Sequence, residues 1–397
     1  MMKTPFLACT KCEREFPLGR VHPRCPSCDE PLEVIYPRLK KGKVPSRGCL
    51  LERYRDFFPF PSIHSAISLG EGNTPLILSS RVGPELGIQR LFFKNETQNP
   101  TWSFKDRGTI AGLEHALSLG FKKIGTVSTG NMAVSVAAYG ARAGIDTYVL
   151  VSQGLPEEKI GPVAIYQPHL IMVEGDYGEL YFRSLEAGEK FGIYFINSDV
   201  PFRVEGSKTI AFEICEQMGF ESPDYVVVPV SAGGNVRGIL KGFEEFHRVG
   251  LINRIPKMIV SQASGCSPIT NAFEQGREVI ERVLDPHTIA HAIENPYPPS
   301  GNQVLRKLKE NGGTAVKVSD EEIIDAQAMM AREGIFGQPA AAVPLAAVKK
   351  LLANGYLKST DSVVCIVTGG GLKYTAALSQ QRFDVKKIRI DEIEKVF

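Results

Sequence analysis

The sequence predicts an α/β protein whose parallel sheets are covered by helices on both faces, preceded by a small zinc-ribbon-like module. Three observations predict this class. From residue 123 onward, short apolar runs alternate with helical patterns, an order typical of parallel sheets. Several of these runs end in glycines and small polar residues, which mark the strand ends where such sheets bind ligands. Four cysteines lie close together near the N-terminus in two pairs.

The composition is that of a globular protein with a large core. The chain has 397 residues, 43% of them hydrophobic and 23% charged, a length that favours about two to three domains. A net charge of +2 is too small to indicate a nucleic-acid partner. No apolar run approaches the roughly 18–20 residues of a membrane helix, and the N-terminal apolar patch is too short for a secretory signal. We therefore expect a cytoplasmic protein with no membrane partner.

The N-terminal cysteines follow the pattern C-x2-C-x12-C-x2-C and are Cys9, Cys12, Cys25 and Cys28. Two such pairs form a four-sulfur cage suited to a structural zinc ion, and two disulfides or coincidence are the alternatives. The basic run 38–43 follows the cysteines without interleaved aromatic residues. It is interpreted as a solvated linker rather than a nucleic-acid contact.

The main body opens with a loop, residues 69–76, and continues with strands and helices in regular succession. Strands are predicted where short apolar runs are rich in β-branched and aromatic residues; these are 90–94, 123–128, 147–151, 170–174, 194–196, 225–230, 258–262, 315–318 and 363–367. Helices are predicted from apolar residues at helical spacing; these are 108–119, 131–142, 178–191, 207–218, 236–248, one from Ser319 with a capping box to Glu322, and 340–352. Residues 266–313 are predicted to be less regular.

Lys105 lies at the centre of the stretch Asn99–Gly108, between Phe104 and the acid–base pair Asp106–Arg107. A lysine in such a setting is a candidate to hold an aldehyde cofactor covalently as a Schiff base. Most lysines are solvated surface charges. The hypothesis therefore requires a phosphate site, a partner for a pyridine ring and a site for a substrate anion elsewhere in the chain.

Three predicted strand ends offer such sites. Residues 128–131 place hydroxyls and amides at a helix start, where they grip an anion or serve as an ordinary N-cap. Residues 231–235 combine paired glycines with a helix N-terminus, which indicates a phosphate cup without the Walker lysine or a structural turn. Residues 367–373 contain three glycines, and Thr368 is placed to face a ring nitrogen; a plain glycine-rich loop is the alternative. The candidate residues are Ser128, Thr129, Asn131, Ser231, Ala232, Gly233, Gly234, Asn235 and Thr368.

A fourth stretch indicates a second anion site. Asn197, Ser198 and Arg203 combine an amide, a hydroxyl and a guanidinium ahead of a predicted helix. Arginine pairs bidentately with phosphate esters. The alternative is an exposed Arg203 that forms a salt bridge with Glu205, and taken without context the sequence favours it.

Together these stretches resemble the threonine synthases, within the tryptophan-synthase-β-like family of pyridoxal-phosphate enzymes. The resemblance runs from about Gly70 to Ala377, and the motifs that carry it are Glu71–Leu76, Asn99–Gly108, Ser128–Asn131, Arg203–Thr209 and Thr368–Lys373. It implies two doubly wound parallel-sheet domains with the active site between them. The implied division is 1–45 for the module and linker, 46–108 with 205–397 for a large cofactor domain, and 109–204 for a small substrate-side domain. A homodimer is also implied.

The resemblance also implies roles for the candidate residues. Lys105 would hold pyridoxal 5'-phosphate and move protons. Asn131 would bond the 3′-oxygen of the cofactor, residues 231–235 would bind its phosphate and Thr368 would face its ring nitrogen. Ser128 and Thr129 would hold the substrate carboxylate, and Asn197, Ser198 and Arg203 would hold the substrate phosphate. The implied reaction is γ-elimination of phosphate from O-phospho-L-homoserine, followed by addition of water to give L-threonine.

Three residues depart from the family pattern on the substrate side. Trp102 replaces a usual Gly, Met132 replaces a usual hydroxyl residue and Gln338 replaces a usual Glu. These departures keep open a related replacement or elimination enzyme acting on another phosphorylated amino acid, such as O-phosphoserine. A binding module built on the zinc ribbon, with a decayed enzyme body, is the non-enzyme alternative.

Overall fold

The computed structural model describes residues 4–41, 47–153, 157–175, 177–375, 378, 387–390 and 393–394. The predicted α/β class is confirmed. Within these residues the strands form three sheets, of which two are mainly or wholly parallel and the N-terminal one is antiparallel. No helix among the described residues combines the length and the apolar character needed to cross a membrane.

The N-terminal module is a small antiparallel sheet with the order β2-β1-β3. Its strands are β1 Phe6–Cys9, β2 Glu15–Phe16 and β3 Leu32–Ile35. Phe6 pairs with Ile35 and Cys9 pairs with Leu32. This register places the first cysteine pair beside the second, because the chain between the strands turns back on itself at each pair.

The large sheet has the order β12-β11-β10-β13-β5-β4 among the described strands. These strands are β4 Leu76–Leu78, β5 Arg90–Asn95, β10 Tyr225–Pro229, β11 Lys257–Ala263, β12 Thr314–Val318 and β13 Ser362–Val367. The edge strand β4 runs antiparallel to β5, and the other pairings are parallel. Val226 and Val228 pack into one hydrophobic core and Val227 into another, so the central strand is apolar on both faces.

The smaller sheet is parallel and has the order β8-β7-β6-β9 in the described part of the chain. Its strands are β6 Lys123–Val127, β7 Asp146–Ser152, β8 His169–Val173 and β9 Tyr194–Phe195. In the sequence, the strands of the smaller sheet all lie between β5 and β10 of the large sheet. The division of the chain into a large and a small domain at fixed residue boundaries stays a prediction.

The helices cover both faces of the two parallel sheets. They are α1 Leu50–Arg53, α2 Val82–Glu85, α3 Lys105–Ser118, α4 Asn131–Ala143, α5 Glu157–Ala164, α6 Tyr177–Phe191, α7 Pro201–Ser207, α8 Thr209–Gln217, α9 Gly234–Arg248, α10 Pro268–Glu274, α11 Gly301–Asn311, α12 Asp320–Arg332 and α13 Pro339–Ala353. The predicted capping box between Ser319 and Glu322 is present at the start of α12.

The structure is more regular than predicted, and the unpredicted helices include α5, α7, α10 and α11. Residues 266–313 contain α10 and α11, and the buried Val304, Leu305 and Leu308 of α11 show the helical spacing that the surrounding Pro and Gly obscured. The helix predicted from Ser207 is preceded by the short helix α7, which begins at Pro201. Proline is favoured at the first position of a helix because it has no N–H to leave unpaired.

Helices α3 and α7 cross at unusually short range. A Cβ atom on Gly206 would lie 1.9 Å from the carbonyl oxygen of Arg107, and one on Gly108 would lie 2.7 Å from Cγ of Arg203. Only glycine permits this approach at both positions. The crossing therefore brings Arg203 of α7 to the first turn of α3, which begins at Lys105.

Candidate active site

The loop that carries Lys105 is hydrogen-bonded to the glycine-rich loop after β13. The amide of Phe104 donates to the carbonyl of Thr368 at 3.0 Å, and the amide of Gly370 donates to the carbonyl of Trp102 at 2.9 Å. These bonds place Thr368 beside the start of α3, at the carboxyl end of β13. Two candidate stretches that lie far apart in the sequence therefore form one wall.

Lys105 is a half-buried amine with no carboxylate partner among the described ion pairs. Its Nζ lies 4.4 Å from the centre of the Phe104 ring. Burial, together with the nearby positive charge of Arg203, lowers the pKa of Lys105 from 10.5 to about 7. Near pH 7 a large fraction of the molecules therefore carries Lys105 as the neutral amine, which is the form that attacks an aldehyde carbon.

Asp106 and Arg107 follow Lys105 in sequence but do not pair with each other. Asp106 accepts hydrogen bonds from the amide of Thr101 at 2.7 Å and from the hydroxyl of Ser135 at 2.7 Å. Burial raises the pKa of this carboxyl, although the hydrogen bonds oppose the shift. Lys373 lies nearby and donates to the carbonyl of Thr101 at 2.7 Å.

Arg107 is the centre of a buried charge network that fixes α3. Its Nε donates to Glu96 at 2.6 Å and its Nη2 donates to Glu213 at 2.7 Å. Lys94 also donates to Glu213, at 2.8 Å. Arg107 and Glu96 are fully buried, so both partners are held in a single geometry. The acid–base pair beside Lys105 thus anchors the helix, a role that the sequence analysis did not identify.

The predicted phosphate cup, Ser231–Asn235, follows β10 and leads into α9 at Gly234. Gly233 adopts φ +98°, and a Cβ atom on Gly234 would lie 2.4 Å from the carbonyl oxygen of Ser198. Both side-chain amide atoms of Asn235 are buried and have no hydrogen-bond partner among the described residues. Unpaired buried polar atoms at a helix N-terminus fit an anionic group held there.

Asn131 begins α4 and lies at the same glycine loop as Thr368. Its Nδ2 donates to Oε1 of Gln338 at 3.2 Å, and a Cβ atom on Gly369 would lie 3.0 Å from this Nδ2. The side-chain oxygen of Ser103, directly before the Lys105 turn, is buried and unpaired within the described residues. Ser103 was not among the site residues predicted from the sequence, although it is part of the motif around Lys105.

Ser128 and Thr129 lie at the carboxyl end of β6, where they precede α4. The Ser128 hydroxyl accepts a hydrogen bond from the amide of Gly130 at 3.3 Å, which is the turn that the N-cap interpretation predicts. Thr129 is half-buried. Their assignment to the substrate carboxylate stays a prediction.

The residues of the second predicted anion site differ in how far their side chains are already hydrogen-bonded to the protein. The side chain of Asn197 joins two parts of the protein, since it accepts from the amide of Val127 at 3.0 Å and donates to Ser184 at 3.1 Å. The Ser198 hydroxyl donates to the sulfur of Met132 at 3.5 Å, a weak acceptor. Ser198 therefore keeps the capacity to bind an anion, whereas the amide of Asn197 is already engaged.

Arg203 is a buried cation and does not pair with Glu205, so the alternative salt bridge is wrong. Glu205 instead pairs with Lys208 at 2.6 Å and with Lys241. Arg203 is 3% exposed, and its guanidinium donates to the hydroxyl of Thr109 at 3.1 Å. Burial lowers the pKa of Arg203 to about 10, with Asp106 opposing the shift. A buried cation without a carboxylate partner among the described residues suits an anionic ligand.

The three departures on the substrate side occupy different surroundings. Trp102 has φ +58° and is 59% exposed, so its backbone takes the conformation that favours glycine while its ring projects to solvent. Met132 is buried against Ser198, and Gln338 is buried against Asn131. Met132 and Gln338 thus contact candidate ligand residues directly.

The four N-terminal cysteines form one cluster. Their sulfur atoms all lie within 4.8 Å of one another, and none of them is in a disulfide, so the disulfide alternative is wrong. The sulfur of Cys9 is 3.4 Å from that of Cys28, and the sulfur of Cys12 is 3.6 Å from that of Cys25. Four thiolates at ~2.3 Å from a central zinc ion fit this spacing.

The fold and the site together fit an enzyme that holds a phosphorylated aldehyde on a lysine. The chain matches the family described as "Pyridoxal-phosphate dependent enzyme" over residues 67–369. It therefore belongs to the family of pyridoxal-phosphate-dependent enzymes. The glycine cup and the unpaired atoms of Asn235 fit the cofactor of that family.

Within this family the chain is similar to threonine synthases. It is 39% identical to the threonine synthase of Methanocaldococcus jannaschii over 391 residues, 96% of each chain. It is 37% identical to that of Methanosarcina acetivorans over 92% of each chain. Among solved structures it shares its fold with maize serine racemase (TM-score 0.65, 22% identity, 78% of this chain and 91% of that chain). The same holds for a threonine deaminase from Solanum lycopersicum (TM-score 0.66, 21% identity, 87% of this chain and 97% of that chain).

Proposed function

We propose that this chain is a pyridoxal-phosphate-dependent threonine synthase that converts O-phospho-L-homoserine and water to L-threonine and phosphate. The similarity to threonine synthases over most of their length supports the reaction. The observation that carries the proposal is the buried guanidinium of Arg203 beside Lys105, which donates to the hydroxyl of Thr109 but has no carboxylate partner among the described residues. An anion site in addition to those for the cofactor phosphate and the substrate carboxylate suits a substrate that itself carries a phosphate.

Lys105 would hold pyridoxal phosphate, with its phosphate at Ser231–Asn235, its ring nitrogen toward Thr368 and its 3′-oxygen toward Asn131. When bound, this cofactor supplies an electron sink for negative charge at the substrate carbons. The amine of Lys105, with a pKa of about 7, accepts and returns protons at neutral pH. Ser128 and Thr129 orient the substrate carboxylate, and Arg203 with Ser198 holds the phosphate that leaves. Asn197, whose side-chain amide is bonded to Val127 and Ser184, keeps the loop of Ser198 in place.

A replacement or elimination enzyme acting on another phosphorylated amino acid, such as O-phosphoserine, is the second candidate. The contact between Met132 and Ser198 favours it, because a thioether stands where the family usually places a hydroxyl. Both candidates use Lys105 and Arg203 in the same way. They differ in the length of the substrate and in whether water is added.

Purified protein should show the visible absorbance of the lysine-held cofactor, and the K105A variant should lose it. The substitution K358A, at an exposed lysine, is the matched control. Phosphate and threonine formed in equal amounts from O-phosphohomoserine support threonine synthase. Phosphate release from O-phosphoserine alone supports the second candidate, and a colourless protein contradicts both.

Three further properties are proposed. A structural zinc ion in the cysteine cage is supported by the sulfur spacing, and elemental analysis of the purified protein tests it. A homodimer and a cytoplasmic location follow from the resemblance to threonine synthases. Sedimentation of the purified protein and imaging of a tagged chain test these two.

A further inference from the structure

Arg24 connects the cysteine module to the phosphate-binding part of the site. It directly precedes Cys25, and its side chain is 10% exposed. Nη1 forms a 2.5 Å ion pair with Asp199, Nε forms a 2.8 Å ion pair with Asp29 of the same module, and Nη2 donates to the carbonyl of Pro299 at 3.2 Å. One side chain therefore joins the module to two separate loops of the main body.

Both loops pack against the glycine cup. Asp199 follows Ser198, whose carbonyl lies against Gly234, and Pro299 precedes Ser300, whose side chain lies against Gly233. The amide of Ser300 also donates to the carbonyl of Ala232 at 3.1 Å. Two backbone segments thus pack against the cup from opposite sides, and each of them also contacts the side chain of Arg24.

The ion pair is a demanding one because Asp199 is fully buried. Its other oxygen accepts a hydrogen bond from the hydroxyl of Tyr181 on α6. Removing Arg24 would leave a buried carboxylate without its cation, so the loop that carries Ser198 would rearrange.

A second arginine, which belongs to the main body, also connects the cup to the cysteine module. Arg237, on the helix that begins at the cup, donates to the hydroxyl of Ser300 at 2.9 Å and to the carbonyl of Leu32 in β3 at 3.1 Å. Two arginines, the largely buried Arg24 and the buried Arg237, therefore connect the module to the cup. A module that served only to complete the fold would not require contacts with both walls of the cup.

We propose that Arg24 is a positioning residue through which the cysteine module sets the geometry of the glycine cup and of the Asn197–Asp199 loop. The proposal rests on the proposed function, since it assumes that the cup binds the cofactor phosphate and the loop the substrate phosphate. It goes beyond that function because it assigns the module a part in ligand affinity. The module would be a functional element of the active site rather than an appended domain.

The test compares R24Q with R306Q. Arg306 also joins the module to the body, through a 2.8 Å ion pair with Glu30, but it does not contact the cup loops. Each variant is stripped of cofactor and titrated with pyridoxal phosphate, and the dissociation constant is read from the visible absorbance. Steady-state kcat and KM are measured on the reloaded enzymes, and circular dichroism monitors folding.

We expect R24Q to weaken cofactor binding on the order of tenfold to a hundredfold and to raise KM more than it lowers kcat, because displaced binding groups are costly. R24K, which keeps the charge but not the planar fork, should recover part of the affinity. R306Q should match the wild type. Equal effects of R24Q and R306Q, or unchanged constants in R24Q, would overturn the proposal. If R24Q does not fold, R24K and D199N carry the same comparison. A wild-type protein that binds no cofactor would instead contradict the proposed function.

Discussion

The guanidinium of Arg203 and the amine of Lys105 lie close enough for one charge to lower the pKa of the other, although they belong to different helices. Two glycines at the helix crossing, Gly108 and Gly206, make this approach possible. The pKa of Lys105 falls to about 7, first through burial and then through Arg203. The pair thereby supplies a neutral amine and a fixed cation at one place.

The lowered pKa of Lys105 makes stability depend on pH in the cofactor-free protein. Between pH 7 and the ordinary value of 10.5, the unfolded chain binds a proton that the folded chain does not. Stability therefore rises with pH across this window. The K105M variant should exceed the wild type in stability most below pH 7, and the difference should shrink toward pH 10.5.

Urea denaturation of both cofactor-free proteins at several pH values measures this difference. K358M, at an exposed lysine, is the control and should track the wild type. A difference between K105M and the wild type that stays constant with pH would show that Lys105 titrates alike in both states.

Removing Arg107 should be among the most destabilising changes in the site. R107M leaves Glu96 and Glu213 buried without their shared cation, a loss of about 3–5 kcal/mol for a broken buried pair. R183M removes an exposed arginine paired with Glu179 and Glu186 and should cost far less, because solvent and salt screen such a surface pair. Equilibrium unfolding in urea compares the two, and equal losses would contradict the assigned anchoring role.

The predictions from sequence were most accurate where local patterns dominate. The ends of β6, β10 and β13 were located from buried strands that run into small residues, because a strand with two apolar faces has a distinctive composition. The partners of charged groups were not predictable. Glu205 bonds Lys241 and Tyr36 rather than Arg203, and Arg24 bonds Asp199. Such pairs depend on how separate segments pack, which no local spacing records.

Removing the metal should destabilise the N-terminal module if the cysteine cage holds zinc. The module is a small sheet of short strands whose apolar residues, among them Leu7, Leu32 and Val34, join the core of the main body. Ligation of a metal by four thiolates would add directly to the free energy of folding of the module. A strong chelator should lower the melting temperature by several degrees. The C12S variant, which removes the exposed ligand Cys12, should melt early with or without chelator, whereas C49S outside the cage should respond like the wild type. A melting temperature insensitive to chelator in the wild type would contradict the zinc proposal.

Trp102 holds a backbone conformation that costs a residue with a side chain about 1–2 kcal/mol. Its φ is +58° and its ring is 59% exposed, so little burial offsets this cost. W102G should therefore be more stable than W102A by about 1 kcal/mol, since both remove the ring and only glycine relieves the strain. Thermal unfolding measures the difference. If W102A and W102G unfold at the same temperature, the positive φ does not strain the loop.

Met132 is the departure expected to affect the chemistry. Its thioether sulfur accepts a hydrogen bond from the hydroxyl of Ser198 at 3.5 Å. The M132T variant would replace this weak acceptor with a hydroxyl that both donates and accepts hydrogen bonds. One added hydrogen bond of about 1 kcal/mol in the water-addition step corresponds to about a fivefold rate increase. We expect M132T to raise the ratio of threonine to 2-oxobutyrate formed from O-phosphohomoserine by about this factor. M132L, which conserves volume and stays apolar, is the control and should leave the ratio unchanged. An unchanged ratio in M132T would show that other groups position the water. Ser198 would then be the next residue to mutate.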